Sequence, residues 1–83
     1  MAKIVIYSKN YCPFCVRAKT LFDGKGATYE EIMVDKDPQL YVELKQKTGM
    51  MTVPQIFIDD KLIGGFQELA ELDSQGGLDP LIK

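Results

Sequence analysis

The feature that most narrows the fold is Lys3–Tyr7 (K-I-V-I-Y), a nearly continuous β-branched and apolar run followed five residues later by a cysteine, a proline and a string of helix formers. A strand with apolar side chains on both faces must be covered on both faces, which is the condition of a parallel or mixed sheet carrying helices. From Pro13 the residues Phe14, Ala18, Leu21 and Phe22 recur at spacings of three and four, so a helix with one apolar face is expected until Gly24 and Gly26 end it. Strand, loop and helix are the first parts of a βαβ unit.

Thr28–Val34 reads as the second strand, less cleanly patterned and nearer an edge. Asp35–Pro38 is a turn that opens the next helix, with Asp37 as cap and Pro38 at the first helical position. Leu40, Tyr41 and Leu44 fall on one side of that helix, and Gly49 closes it after Thr48. The second half changes character. Gln55–Asp59 and Lys61–Gly64 are short runs turned by Asp59 and Asp60, a hairpin rather than another crossover. Gly64 and Gly65 then precede a last helix from Phe66, with Leu69 and Leu72 facing inward; Gly76 and Gly77 end it, and Leu78, Leu81 and Ile82 remain to pack. The expected order is βαβαββα, an α/β fold in one domain over residues 1–83, without repeat or linker.

A chain of 83 residues buries only ~60–65% of its extended surface, so little stability is in reserve. A bridge between its two cysteines, three residues apart, closes too short a loop to act as a staple, and the apolar core must hold the domain. The apolar share of 46% suits a globular protein, and no stretch nears the ~20 apolar residues of a membrane span. Strand-like sequence from Lys3 and Ile4 leaves no room for a cleavable leader, so the expectation is a cytoplasmic, reducing location. There a Cys-x-x-Cys is catalytic or metal-binding sooner than structural.

Net charge is −2, with 6 basic against 5 acidic residues through Val42 and 4 against 7 beyond it. No basic block suggests nucleic acid. Histidine is absent, which excludes Ser-His and Cys-His hydrolases, histidine metal sites and a histidine pH switch.

Cys12-Pro13-Phe14-Cys15 carries the chemistry. The thiolate is the nucleophile of thiol–disulfide exchange, and an ordinary cysteine with a pKa of ~8.5 is only slightly ionised near neutrality. At a helix N-terminus the unpaired N–H groups and the dipole favour the negative charge on Cys12. Pro13 gives up only an N–H that has no intrahelical partner. Cys15 returns to the same face of the first turn, where it can attack a mixed disulfide on Cys12. Cys12 is therefore expected to be the exposed nucleophile and Cys15 the more buried resolving thiol. A structural disulfide, half of a zinc site, or a metal or iron–sulfur cluster shared between two chains are the competing readings of the pair.

Lys9 and Arg17 are candidate cations beside the pair, and Tyr11 a candidate wall; solvated charges and plain packing compete with these roles. Thr52-Val53-Pro54 leads into a strand, a place where a cis X-Pro can hold a turn and leave the Val53 backbone to pair with an extended peptide. A merely structural Pro54 is the alternative. Gly64-Gly65-Phe66-Gln67 offers either a simple glycine turn or a helix start whose N–H groups suit a carboxylate. Together these segments describe a thiolate, a peptide-docking edge and an anion site, which a small anionic thiol peptide requires.

With K-I-V-I-Y, S-K-N-Y-C-P-F-C followed by R-A-K, T-V-P-Q-I-F-I-D, I-G-G-F-Q-E-L and the tail G-G-L-D-P-L, the whole chain resembles the glutaredoxins, the small dithiol bacterial type. That resemblance implies a thioredoxin-like fold with a four-stranded mixed sheet and three helices. It implies reduction of protein disulfides and glutathione mixed disulfides with glutathione as co-substrate and no metal, and service to ribonucleotide reductase as a hydrogen donor. A monomer acting on protein partners, and not on nucleic acid or membrane, is expected.

Carried over by position, Cys12 is the nucleophile and Cys15 resolves. Lys9 contacts the glycyl carboxylate of glutathione, Tyr11 lines the substrate surface, and Thr52, Val53 and cis Pro54 meet the cysteinyl backbone. Gly65, Phe66 and Gln67 hold the γ-glutamyl carboxylate. Two departures stand out. Phe14 replaces the family's commonest tyrosine. Phe66-Gln67-Glu68 replaces a cysteine and two aspartates, so neutral Gln67 makes no charge-assisted contact to the γ-glutamyl amine; weaker glutathione binding, or partial replacement of the charge by Glu68, is the expected consequence. The competing functions are a redoxin recycled by thioredoxin reductase and a glutathione-ligated iron–sulfur carrier.

Overall fold

In the computed structural model, which describes residues 2–82, the elements run β1 (Ile4–Ser8), α1 (Pro13–Gly24), β2 (Glu30–Met33), a 3-10 turn (Val34–Lys36), α2 (Pro38–Thr48), β3 (Gln55–Ile58), β4 (Lys61–Gly64), α3 (Phe66–Ser74) and α4 (Leu78–Ile82). The sheet order is β2-β1-β3-β4, so the most apolar strands occupy the centre. β1 pairs parallel with β2 and antiparallel with β3, and β3 pairs antiparallel with β4. The sheet is mixed and the fold is thioredoxin-like. The tail packs as expected through Leu78, but it does so as a fourth, short helix.

Alternation along β1 explains why its whole run is apolar. Ile4 and Ile6 point into a cluster with Ala18 and Phe22 of α1, Ile56 and Ile58 of β3, Leu69 of α3 and Leu78 of α4. Tyr7 turns to the other face with Phe57, where Tyr41 and Leu44 of α2 and Val34 cover it. The rings of Tyr7 and Phe57 meet edge to face at 5.6 Å. Both faces are thus covered, and the disulfide belongs to the second cluster.

Local chemistry sets the element ends. The Asp37 side chain accepts from Leu40 N at 3.1 Å and caps α2. Asp59 and Asp60 take φ of 51° and 67°, the paired left-handed conformation of a two-residue hairpin. Lys25, just past α1, lies 2.7 Å from both Asp73 of α3 and Asp79 of α4 and ties the last helices to α1. Those carboxylates, Asp73 foremost, raise the lysine's pKa. The second strand is shorter than its sequence pattern because Val34 leaves the sheet to enter the 3-10 turn and fill the second cluster.

Candidate active site

The site lies where α1 begins, beyond the end of β1. Cys12 and Cys15 are joined as a disulfide with Cα atoms 5.2 Å apart. Cys12 is the N-cap of α1: its sulfur accepts from Cys15 N at 3.2 Å, while its carbonyl accepts the first helical bond from Val16 N at 3.1 Å. Pro13 occupies the first helical position, where it forfeits no bond. Helix start, proline and cysteine therefore form one device that places a sulfur at the positive end of the dipole. In this oxidised form Cys12 is 8% exposed and Cys15 1%. Both are buried, so the exposed Cys12 that the sequence led one to expect is reduced in the closed disulfide to a narrow edge.

Across from Cys12 stands the turn before β3. The Val53–Pro54 peptide is cis, and Cys12 Sγ lies 3.7 Å from Val53 O. Gln55, fully buried, moors this turn: its Nε2 donates to Met50 O and Thr52 O at 3.1 Å each, while the Thr48 hydroxyl sits 2.9 Å from both Gln55 Oε1 and Leu44 O. The sequence reading missed Gln55. The available signal was a glutamine opening an otherwise apolar strand, a polar group that burial obliges to find partners.

A cleft of ≈ 310 Å³ runs from this turn to the start of α3, and Thr52, Val53, Pro54, Gly65, Phe66 and Gln67 all line it. Six of the eight predicted glutathione contacts are thus brought together. Met50 and Glu68 join them. The amides of Phe66 and Gln67 belong to the first turn of α3, where no intrahelical acceptor exists. Glu68 folds back so that its Oε1 accepts from Gly65 N at 2.7 Å, capping the helix from within and leaving its carboxylate on the cleft wall. Gly64, with φ of 123°, makes room for it: a Cβ there would lie 2.8 Å from Glu68 Oε1.

Phe14 departs from the helix pattern. It is not on the inward face of α1 but 53% exposed, because the first turn of α1 projects past the core that buries Ala18 and Phe22. Its ring faces Phe66 at 6.3 Å across the cleft, and the Arg17 guanidinium lies 5.2 Å over it. Lys9 and Tyr11, the two remaining predicted contacts, do not line that cleft. They line a second hollow of ≈ 590 Å³ with Cys12, Val16, Lys19, Glu31 and Met33.

Beneath that hollow the buried Ser8 hydroxyl donates to Glu31 Oε2 at 2.6 Å, and Lys19 Nζ lies 2.7 Å from the same oxygen. The lysine first and the hydroxyl second hold the Glu31 carboxyl below the ordinary carboxylate range. Asn10 N donates to Asp35 Oδ2 at 3.2 Å, so the loop before Cys12 is fastened to the 3-10 turn that follows β2. Among the described residues there is no group of three or more histidine, cysteine, aspartate or glutamate side chains that could hold a metal ion. No helix among them is long and apolar enough to cross a membrane.

A disulfide at a helix start, a cis-proline turn against it and a cleft leading to a second helix start are a thiol-exchange site. The glutaredoxin family model matches residues 4–63. The chain belongs to the glutaredoxin family. It is 47% identical to glutaredoxin 3 of Escherichia coli K12 over 83 residues, the full length of both chains. It is 44% identical to a glutaredoxin of Pseudomonas aeruginosa over 82 residues, covering 99% of this chain and 98% of the relative. The crystal structure of a buckwheat glutaredoxin–glutathione complex superposes with a TM-score of 0.93 at 39% identity, covering 98% of this chain and 76% of that one. A dithiolic glutaredoxin of Trypanosoma brucei brucei gives 0.89 at 39% identity, over 98% of this chain and 87% of that one.

Proposed function

We propose that Cys12 is the nucleophile and Cys15 the resolving thiol of this glutathione-dependent thiol–disulfide oxidoreductase, and that the cleft between the Val53–Pro54 turn and α3 seats glutathione. The observation that carries the reading is the Cys12 sulfur itself, which caps α1 and lies 3.7 Å from the carbonyl oxygen of Val53, a residue that lines that cleft. In the reduced protein the Cys15 amide and the α1 dipole stabilise a thiolate on Cys12. That thiolate attacks the glutathione sulfur of a mixed disulfide, and the substrate cysteine leaves as a thiolate and takes a proton from solvent. A second glutathione thiolate then attacks the glutathione sulfur on Cys12, releasing oxidised glutathione and the Cys12 thiolate. With a protein disulfide, the Cys12 thiolate attacks one of its sulfurs and releases the other as a thiolate; Cys15 then attacks Cys12 in that mixed disulfide, which releases the second protein thiolate and forms the Cys12–Cys15 bridge, and two glutathiones reopen it.

Thr52, Val53 and Pro54 provide the edge against which the cysteinyl backbone of glutathione lies, with Val53 as its pairing partner. Gly65, Phe66 and Gln67 provide amides for the γ-glutamyl carboxylate at the positive end of α3. Lys9 supplies a cation for the glycyl carboxylate, reaching over Cys12 from the second hollow, and Tyr11 forms the rim beside it. Residues 1–83 act as one domain and as a monomer in the cytoplasm, on disulfide-bearing or glutathionylated proteins. Service to ribonucleotide reductase as a hydrogen donor is supported by the family resemblance alone. Neutral Gln67 favours one second reading, recycling by thioredoxin reductase. A coupled assay decides between them: recycling by glutathione with its reductase is the expected result, and recycling by thioredoxin reductase alone would overturn the reading.

A further inference from the structure

The seating of glutathione leaves one ion pair beside the reactive sulfur without a task. Cys12, Val16 and Lys19 follow one another at spacings of four and three along α1 and line one hollow, which Glu31 of β2 also lines. A helical side chain leans toward the start of its helix, which brings the lysine toward Cys12. Lys19 Nζ lies 2.7 Å from Glu31 Oε2, and the Ser8 hydroxyl, fully buried at the end of β1, donates to that same oxygen at 2.6 Å. The lysine and glutamate side chains are only 28% and 30% exposed, so solvent screens them in part.

Charged and titratable groups approach Cys12 from every side. Lys9 and Tyr11 stand in the loop before it, Lys19 on α1 and Glu31 on β2. Asp35 of the 3-10 turn accepts from the Asn10 amide, and Arg17 stacks on Phe14. Tyr7 of β1 and Tyr41 of α2 pack in the cluster that holds the disulfide, with Lys47 over Phe57 and Lys45 over the Tyr41 ring. Glu68 caps α3 on the far wall of the cleft. Lys9 is the cation that glutathione takes; Lys19 is a second one, and Glu31 cancels it. Lys19 first and Ser8 second hold the Glu31 carboxyl below its ordinary range, so it is ionised wherever a thiolate forms.

We infer that Glu31 is a positioning residue of the reaction: moored by Ser8, it cancels the Lys19 charge beside Cys12, so the thiolate formed at the helix start is stabilised no further and keeps its nucleophilic strength. The role rests on Cys12 being the nucleophile. A thiolate loses reactivity as it is stabilised, with a Brønsted slope of about 0.4–0.5. An uncancelled Lys19 would therefore ionise the sulfur sooner and slow its attack.

The test is the pH profile of Cys12 alkylation by iodoacetamide in the Cys15→Ser chain. Glu31→Gln should lower the midpoint by about half a pH unit, and Lys19→Met should raise it by as much. The two changes together, and Lys19→Arg, which keeps the charge, should each stay within about 0.2 units of the chain with both side chains intact. In the chain with both cysteines at about pH 8, Glu31→Gln should move the equilibrium with glutathione about threefold toward the dithiol, the same half unit read as a ratio. A merely structural ion pair predicts lower melting temperatures and one shared midpoint. Single variants that keep the native midpoint would overturn the role of Glu31, as would a double variant displaced as far as either single one. A native midpoint at the ordinary cysteine value, with the single variants still displaced in opposite directions, would overturn the helix-start stabilisation of Cys12 and leave the role of Glu31 standing.

Discussion

Replacing Gln55 with leucine removes the mooring of the turn that faces Cys12. The amide makes two donor bonds at 3.1 Å to Met50 O and Thr52 O from a fully buried position. Each lost bond is worth about 1 kcal/mol net, and a carbonyl left dry costs about 1–3 kcal/mol more. Both carbonyls lie in a loop whose side chains at Met51 and Thr52 are exposed, so water takes up part of that cost. Leucine returns something through its own burial, and the Thr48 hydroxyl keeps Leu44 O as partner. The balance is a loss of about 2 kcal/mol. A domain of this size has roughly 4–12 kcal/mol in all. Urea unfolding should therefore show a lower midpoint at unchanged slope. Because the loosened segment is one wall of the cleft, KM for a glutathione mixed disulfide should rise several-fold with kcat changed less. Stability within about 0.5 kcal/mol of native together with an unchanged KM would refute the mooring role, since that is the range of an ordinary surface substitution.

Gln67→Asp places a carboxylate at the start of α3 and should lower KM for glutathione mixed disulfides about three- to tenfold, a gain of about 1 kcal/mol from one charge-assisted contact; steady-state kinetics at constant salt reads it. Gly64→Ala forces a side chain into a φ of 123° and against Glu68, displacing the cap on Gly65, and should cost about 2–3 kcal/mol in denaturant unfolding. Glu31 has a folded pKa below its unfolded value, so the stability it adds is present above the ordinary glutamate range and lost as pH falls through the lowered folded value. Thermal melts of Glu31→Gln from neutral pH down to about pH 3 should accordingly fall less steeply than those of the native chain.

Much of this architecture is legible because its causes are local. The unbroken run at Lys3–Tyr7 foretells a central strand, since only a strand covered on both faces tolerates it, and Ile6 and Tyr7 do point into separate clusters. The Asp59-Asp60 turn and the Asp37 cap follow from side chains acting on their own backbone. What sequence leaves hidden depends on tertiary placement. Phe14 fits the apolar spacing of α1, yet the first turn overhangs the core, and the ring becomes a cleft wall opposite Phe66. Gln55 reads as an ordinary strand opening until the loop it holds is seen folded over it. Lys9 and Tyr11 sit beside Cys12 in sequence, but the helix start divides the surface there, and they fall in a different hollow from Thr52 and Phe66.

The division of labour between the two sulfurs is tested most directly by reduction of a small glutathione mixed disulfide with the native chain, Cys12→Ser and Cys15→Ser, using glutathione and its reductase for recycling. A Cys12 sulfur that caps α1 predicts activity abolished in Cys12→Ser and substantially retained in Cys15→Ser. Equal loss in both variants, or survival of Cys12→Ser, would contradict it.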